Sequence, residues 1–256
     1  MRLPVMGTAA ALATAFLSGQ CMPAAAQPAS SGPSTPIPTD KPDAFGERVR
    51  AYLLAHPQVI VEAVQIFQQR QQAAQTEAAK QTIVTRADEI FRHPASPVGG
   101  NPDGDVTLVE LFDYNCRYCR ASAPVLREVL GNDRQLRFVF KEFPILGPGS
   151  TFAARAALAA QRQGKYGPLH DALFQLQGSL SEQSVLATAT AIGLDLEQLK
   201  RDMADPSIEA EIARNHELAT ALGITGTPSW VVGEEVIAGA VDRATLEERV
   251  AQARQR

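Results

Sequence analysis

Val106-Thr107-Leu108-Val109-Glu110-Leu111-Phe112, followed at once by Asp113-Tyr114-Asn115-Cys116-Arg117-Tyr118-Cys119-Arg120, is the stretch on which the fold turns. The first seven residues are dominated by strand formers. The Cys-x-x-Cys that follows opens an amphipathic helix expected over Arg117–Leu130, with Ala123, Val125, Leu126, Val129 and Leu130 on the apolar side. Cys116 is thereby placed at or just before the first helical turn. Backbone N–H groups there have no intrahelical partner, and the helix dipole favours negative charge. A sulfur in that position is favoured as thiolate, which is the nucleophilic form. Cys119 lies about one turn further on, close enough to close a small disulfide ring. The stretch reads as a redox-active dithiol.

Outward from this pair, the cysteine count narrows the setting. The 256 residues hold three cysteines, and the first, Cys21, falls in an N-terminal segment with the pattern of a secretory signal peptide. Arg2 precedes an apolar stretch, Gly7–Leu17, and the small residues Ala24-Ala25-Ala26 mark cleavage after Ala26. Acylation of Cys21 as a lipoprotein is the competing reading and ranks lower. Gln20 stands next to the cysteine, and Leu17 is one place too far upstream. The apolar stretch is too short for the ~20 residues of a membrane span. After cleavage two cysteines remain, both in one Cys-x-x-Cys, as suits disulfide exchange in an oxidising compartment such as the periplasm. The formal net charge is −4 and no Lys/Arg block stands out, so nucleic acid is not an expected partner.

Residues 27–42 are dense in Pro, Ser, Ala and Thr and are expected to form a flexible linker. A helical arm, 43–93, follows. A short helix over Asp43–His56 carries Phe45, Val49, Tyr52 and Leu53 on one face, and a long helix runs from Pro57 to Phe91. Ile60, Ala63, Val64 and Phe67 make an apolar stripe at its start, but Gln68 to Thr82 have little to bury. Self-association is the favoured way to cover that stripe, and folding back onto the main domain is the alternative.

Residues 94–256 read as one domain. A connector with a short strand near Ser96–Val98 leads to the cysteine-bearing strand and helix, and then to a second strand over Leu136–Phe143. Ser150 is expected to cap the first helix of an all-helical block at about 151–223, whose further start signals are Asp195 with Gln198 and Asp205-Pro206. Strands return at Ser229–Val232 and Glu235–Ala238 around a tight Gly233-Glu234 turn, and Asp242 caps a closing helix, Arg243–Arg254. The fold class is therefore α/β: a mixed sheet interrupted by a helical insertion and preceded by a helical arm.

The strand leading into Phe-x-x-x-Cys-x-x-Cys resembles the thioredoxin superfamily. The helical insertion, with Thr227-Pro228 just before the hairpin, is similar to its DsbA-like branch over about Pro97 to Arg256. The arm and the string Phe-Asp-Tyr-Asn-Cys-x-Tyr-Cys resemble the ScsC-type suppressor-of-copper-sensitivity proteins. The resemblance implies that Cys116 attacks, that Cys119 resolves, and that Glu110 is the buried acid six residues before the first cysteine, with a part in moving the Cys119 proton. It implies that Lys141 is the lysine near that acid. It also implies that Thr227-Pro228 is the cis-proline loop facing Cys116, which pairs with an extended client segment and keeps metal ligands away. Arg117-Tyr118 departs from the Pro-His or Pro-Tyr of many relatives. Arg117 adds a positive charge near Cys116 that further favours thiolate.

The leading function is thiol–disulfide exchange on unfolded or misoxidised exported proteins, leaning to isomerase or reductase and served by a membrane redox partner. A homo-oligomer, a trimer among the forms allowed, suits that reading. A monomer would suit a disulfide-donating oxidase. No cofactor beyond a Cys116–Cys119 disulfide is expected. A copper-binding protein using the same two cysteines is the alternative of another class. No second ligand pair for zinc exists, and His56, His93, His170 and His216 are scattered and expected to be surface or capping residues. A purely structural Cys116–Cys119 bridge is disfavoured, because so small a loop constrains the unfolded chain little.

Overall fold

The computed structural model describes residues 43–255, so the segments read as a signal peptide (1–26) and a linker (27–42), with Cys21, lie outside the described residues. The chain divides into two units after Pro57. The first holds α1 (Ala44–Ala55), started by Asp43, whose carboxylate accepts the Gly46 N–H at 2.7 Å. None of its residues is buried.

The second unit begins with α2 (Gln58–Thr85) and α3 (Ala87–Phe91). The single helix expected over 57–91 is thus broken at Arg86. Thr82 and Thr85 turn their hydroxyls back onto the carbonyls of Ala78 and Gln81, a local competition with the helix ladder. The arm also does not stop at 93 as a separate piece. Ile83 and Ile90 are buried against Val109, Leu111, Val139 and Val231, each contributing about 2 kcal/mol by burial alone. Lys80 pairs with Glu234 at 3.0 Å, and Thr82 donates to the Ala221 carbonyl.

Five strands follow: β1 (Val98–Gly100), β2 (Val106–Phe112), β3 (Leu136–Glu142), β4 (Ser229–Val232) and β5 (Glu235–Ala238). They form one sheet in the order β1-β3-β2-β4-β5. β2 and β3 are parallel and joined through α4 (Arg117–Asn132); the other pairs are antiparallel. Both central strands are buried at every position but the second, as strands covered on both faces must be. One face carries Leu108, Phe112, Phe138, Phe140, Trp230 and Val232, covered by α4, the helical insertion and the closing helix. The other carries Val109, Leu111, Val139 and Val231, covered by the end of α2, α3 and Leu218, Ala219 and Leu222.

The insertion comprises α5 (Pro148–Ala160), a turn of 3-10 helix at 161–163, α6 (Tyr166–Gln175), α7 (Glu182–Ala191), α8 (Leu196–Met203) and α9 (Pro206–Ala221); α10 (Arg243–Arg254) closes the chain. Ser181, Asp195, Asp205 and Asp242 each cap the helix that follows, three of them at the positions expected. Ser150 does not. α5 starts three residues earlier, with Pro148 in its first turn and Gly147 before it at φ 114°, a conformation only glycine adopts without strain. Ser150 is instead buried one turn inside. The first short strand likewise sits at 98–100 rather than 96–98, because Val98–Gly100 pair with Arg137–Val139.

Candidate active site

β2 ends by delivering the loop 113–116 to one edge of the molecule, and a buried aspartate holds that loop in place. Asp113 accepts the Asn115 N–H at 2.7 Å through one oxygen, and through the other the N–H groups of Ile145 (2.8 Å) and Leu146 (2.9 Å). The loop after β2 is thereby tied to the loop after β3. Cys116 then occupies the N-cap of α4, with the Cys119 N–H donating to its sulfur at 3.5 Å. Both cysteines are free thiols. Cys116 retains slight exposure, whereas Cys119 is fully buried.

Across the site, the turn before β4 places Thr227 and Pro228. Register fixes them: Ser229 pairs with Leu111 of β2, so the preceding residues reach the Cys116 loop. The Thr227–Pro228 peptide is cis, and the Cys116 thiol lies 3.2 Å from the Thr227 carbonyl oxygen, to which it donates. A helix start and a cis-proline turn 111 residues apart in sequence thus converge on one sulfur.

Glu110 points to the same side of the sheet as Phe140 and Trp230, its register partners, and is 2% exposed. Burial pushes its carboxyl well above the ordinary range, and the charges of Cys116 and Glu142 add to that. Burial likewise pushes the Cys119 thiol far up, with Glu110 the next contributor. A carboxyl and a buried thiol that each disfavour the other's charge are suited to passing one proton between them.

Two expected site residues are placed differently. Lys141 is not near Glu110. It pairs in register with Leu111, one residue on, so its side chain leaves the opposite face of the sheet. There its ammonium, 0% exposed, donates to the Glu89 carbonyl (2.9 Å) and to Ser96 Oγ (2.8 Å), and burial lowers it to about 8. Ser96 donates on to Glu211, which also meets Arg214 at 3.2 Å and lies 3.1 Å from His93 Nδ1. Lys141 thus fastens α3 and the connector to β3 and α9. Lys141→Met should lower stability by about 1–3 kcal/mol while changing exchange rates less than about twofold. Urea unfolding and a turnover assay check this, and a tenfold rate loss at unchanged stability would return Lys141 to the site. Arg117, in turn, lies over the Tyr118 ring at 4.6 Å and donates to its hydroxyl at 2.6 Å. Its charge is engaged by tyrosine, and the exposed Tyr118, Ile145 and Leu146 form an apolar rim to the site.

The structure also brings in residues that sequence reasoning passed over. His170, expected at the surface, is buried among Phe112, Phe140 and Phe174, with ring centroids 4.7–5.0 Å away. Burial lowers its imidazole to about 3. Its Nδ1 lies 3.1 Å from the Tyr114 hydroxyl, which donates to Glu142 at 2.9 Å, as does Tyr166 at 2.8 Å. Glu142 sits two residues after Phe140 on the same strand, and that alternation was the available signal. Among the described residues no group of three or more His, Cys, Asp or Glu is arranged to hold a metal ion.

The family model of the DSBA-like thioredoxin domain matches residues 107–251, from β2 through α10. The chain belongs to this family. Residues 43–74 match the N-terminal domain of the copper resistance protein ScsC. Among solved structures, the DsbA-like chain is similar to a thioredoxin-like oxidoreductase from Silicibacter pomeroyi at 48% identity and TM-score 0.65, covering 66% of this chain and 98% of that one. It is also similar to the catalytic domain of Proteus mirabilis ScsC at 28% identity and TM-score 0.63, covering 69% and 99%. A Na(+)/H(+) antiporter NhaA 1 of Salinispora arenicola shares 34% identity over 137 residues, which are 53% of this chain and 21% of the antiporter. The chain thus spans about a fifth of the length of the first curated relatives it matches.

Proposed function

We propose that this chain is an exported, periplasmic thiol:disulfide oxidoreductase that reduces and reshuffles disulfides of misoxidised proteins. The observation that carries this reading is the Cys116 sulfur, capped by the Cys119 N–H and lying 3.2 Å from the Thr227 carbonyl. Cys116 as thiolate attacks one sulfur of a client disulfide. The client S–S bond breaks, a Cys116–client bond forms, and the second client sulfur leaves as a thiolate that takes up a proton. Cys119 then gives its proton towards Glu110 and attacks the Cys116 sulfur. The client leaves reduced by two electrons, and a Cys116–Cys119 disulfide remains. If a client thiol attacks the mixed disulfide before Cys119 does, the client is isomerised and the dithiol is regenerated. A client segment extended along Thr227 meets the apolar rim of Tyr118, Ile145 and Leu146, and beside it a cavity of about 210 Å³ bordered by Ile224, Pro228 and Val236. Net reduction requires a reductant to reopen the Cys116–Cys119 disulfide, and a membrane dithiol donor fits that need.

The arm supports an oligomer. Phe45, Tyr52 and Leu54 on α1, and Ile60, Val61, Val64 and Phe67 on α2, are all exposed. A second copy of the chain is a natural cover for such faces. The copper in the name of the ScsC model is said of that protein; here the convergence of Cys116 with Thr227 favours thiol exchange over metal holding.

Removing residues 43–74 tests both parts, since it spares Ile83 and Ile90 in the core. The full chain should reactivate a scrambled-disulfide protein, and the shortened chain should be monomeric by light scattering and lose most of that reactivation while still reducing a small disulfide. An unchanged mass would remove the arm from assembly. A full chain that oxidises a reduced protein but leaves a scrambled one untouched would establish the monomeric-oxidase direction instead.

A further inference from the structure

The exchange cycle proposed above uses Glu110 but leaves a second buried carboxyl, Glu142, without a task. β2 and β3 run parallel with Glu110 opposite Phe140 and Phe112 opposite Glu142, so the two acids lie diagonally on one sheet face. Glu110 is 2% and Glu142 1% exposed. Their surroundings differ sharply. Glu142 Oε1 accepts from both Tyr114 (2.9 Å) and Tyr166 (2.8 Å), and Asn215 holds the Glu142 backbone carbonyl at 3.0 Å. Among the described residues no hydrogen bond holds the Glu110 carboxyl, which feels burial and the charges of Cys116 and Glu142.

The hydrogen bonds favour Glu142 over Glu110 as the acid that ionises first. Each tyrosine has one hydroxyl proton, and both are directed at Glu142. Tyr114 then has none left for His170, so the 3.1 Å contact requires His170 Nδ1–H to donate to the tyrosine oxygen. Two tyrosine protons on Oε1 stabilise a negative Glu142, and any proton that the acid carries sits on its other oxygen. We propose that Glu142 is a positioning residue of the redox site: held by Tyr114 and Tyr166, it ionises before Glu110 and thereby keeps the proton on Glu110 beside the resolving sulfur of Cys119.

Like charges on neighbouring buried carboxyls are not both tolerated, and the acid with donors ionises first. Burial pushes Glu142 up to about 8 against the pull of its two tyrosines, whereas Glu110, without donors, stands well above its ordinary value with Glu142 among the causes. The other titratable groups that bear on this pair are Asp113 on Glu142, Cys116 on Glu110, Asp171 on Tyr114, and Arg127 on His170. A proton retained on Glu110 withholds the base that Cys119 needs, so the mixed disulfide at Cys116 persists and reshuffling gains time over release. In the opposite direction the same proton is ready for the Cys119 sulfur as the disulfide opens.

The inference deepens the exchange reading but is tested apart from it. An infrared titration of the full chain follows the protonated-carboxyl band that disappears in Glu110→Gln. Glu142→Gln should lower the midpoint of that band by about one pH unit or more, because the like charge is gone. Tyr166→Phe, which keeps the carboxyl and removes one donor, should lower it by a smaller step and covers the case that Glu142→Gln does not fold. The pH of half-maximal release of a small thiol from its mixed disulfide with Cys116 should fall in parallel, and Glu142→Gln should have no effect on it in a Glu110→Gln background. A Glu110 midpoint that stays or rises in the Glu142 and Tyr166 variants overturns the proposal. A chain without disulfide exchange whose Glu110 band still moves would overturn the exchange reading alone.

Discussion

Cys116→Ala should reduce disulfide exchange to the background of the solution thiols, and Cys119→Ala should instead stop the cycle halfway with the client attached. The two sulfurs differ because their surroundings do. Cys116 sits at the helix mouth with residual exposure and an N–H aimed at it; Cys119 is fully buried, with burial and the Glu110 charge both disfavouring its thiolate. Removing Cys116 therefore leaves a thiol that a client disulfide cannot reach, and the loss should be at least about a thousandfold, as for other removed nucleophiles. Removing Cys119 leaves attack intact but takes away the group that expels the client, so Cys116–client adducts should accumulate. Non-reducing gels of each variant mixed with a scrambled substrate read both outcomes. Residual exchange in Cys116→Ala, or no adduct with Cys119→Ala, would reverse the assignment of the two sulfurs.

Acid should unfold this protein, with His170 as a principal cause. The imidazole is packed between Phe112, Phe140 and Phe174 and is lowered by burial to about 3. In the unfolded chain it takes a proton at its ordinary value of 6.5, while in the folded chain it stays neutral. The stability it contributes is therefore complete above that value and drains as the pH falls towards the lowered one, by about 1.4 kcal/mol per pH unit. Glu142 acts with the opposite sign. Its raised folded value makes its contribution complete below the ordinary carboxylate range and lost as the pH rises through about 8. Comparing the native protein with His170→Phe by urea unfolding between about pH 3.5 and 7.5 separates the two. The variant should lose less stability than the native protein over the acid half of that range. Parallel curves would mean that the imidazole is already charged, or already solvated, in the folded state.

Much of this was legible from local signals. Cys116 at a strand-to-helix junction, Thr227-Pro228 ahead of a hairpin, and Asp242 capping the last helix each announce themselves within a few residues, and the structure places all three as read. Glu110 was also readable, since a carboxyl amid Leu108, Val109, Leu111 and Phe112 has nowhere else to go. What escaped depends on how strands register and on distant partners. Lys141 and Glu142 are adjacent, and only the pairing of Leu111 with Lys141 shows that the lysine leaves the face that the acids share. The environment of His170 comes from β2, β3 and its own helix together, and one helix's sequence does not reveal it. The break at Arg86 also escaped, because the helix propensity of the surrounding residues gives no sign of it.

The margins of the sheet bear on how such a protein survives its work. β1 is three residues long and contains two glycines, and at the other margin β5 has four residues, with α2 lying alongside through the Lys80–Glu234 pair. A molecule that acts on unfolded chains, as we propose for this one, is at constant risk of templating them, since bare strand borders recruit extended polypeptide. Here neither border offers a long run of backbone to zip against, and a chain with the proposed activity is thereby guarded against co-aggregating with its clients.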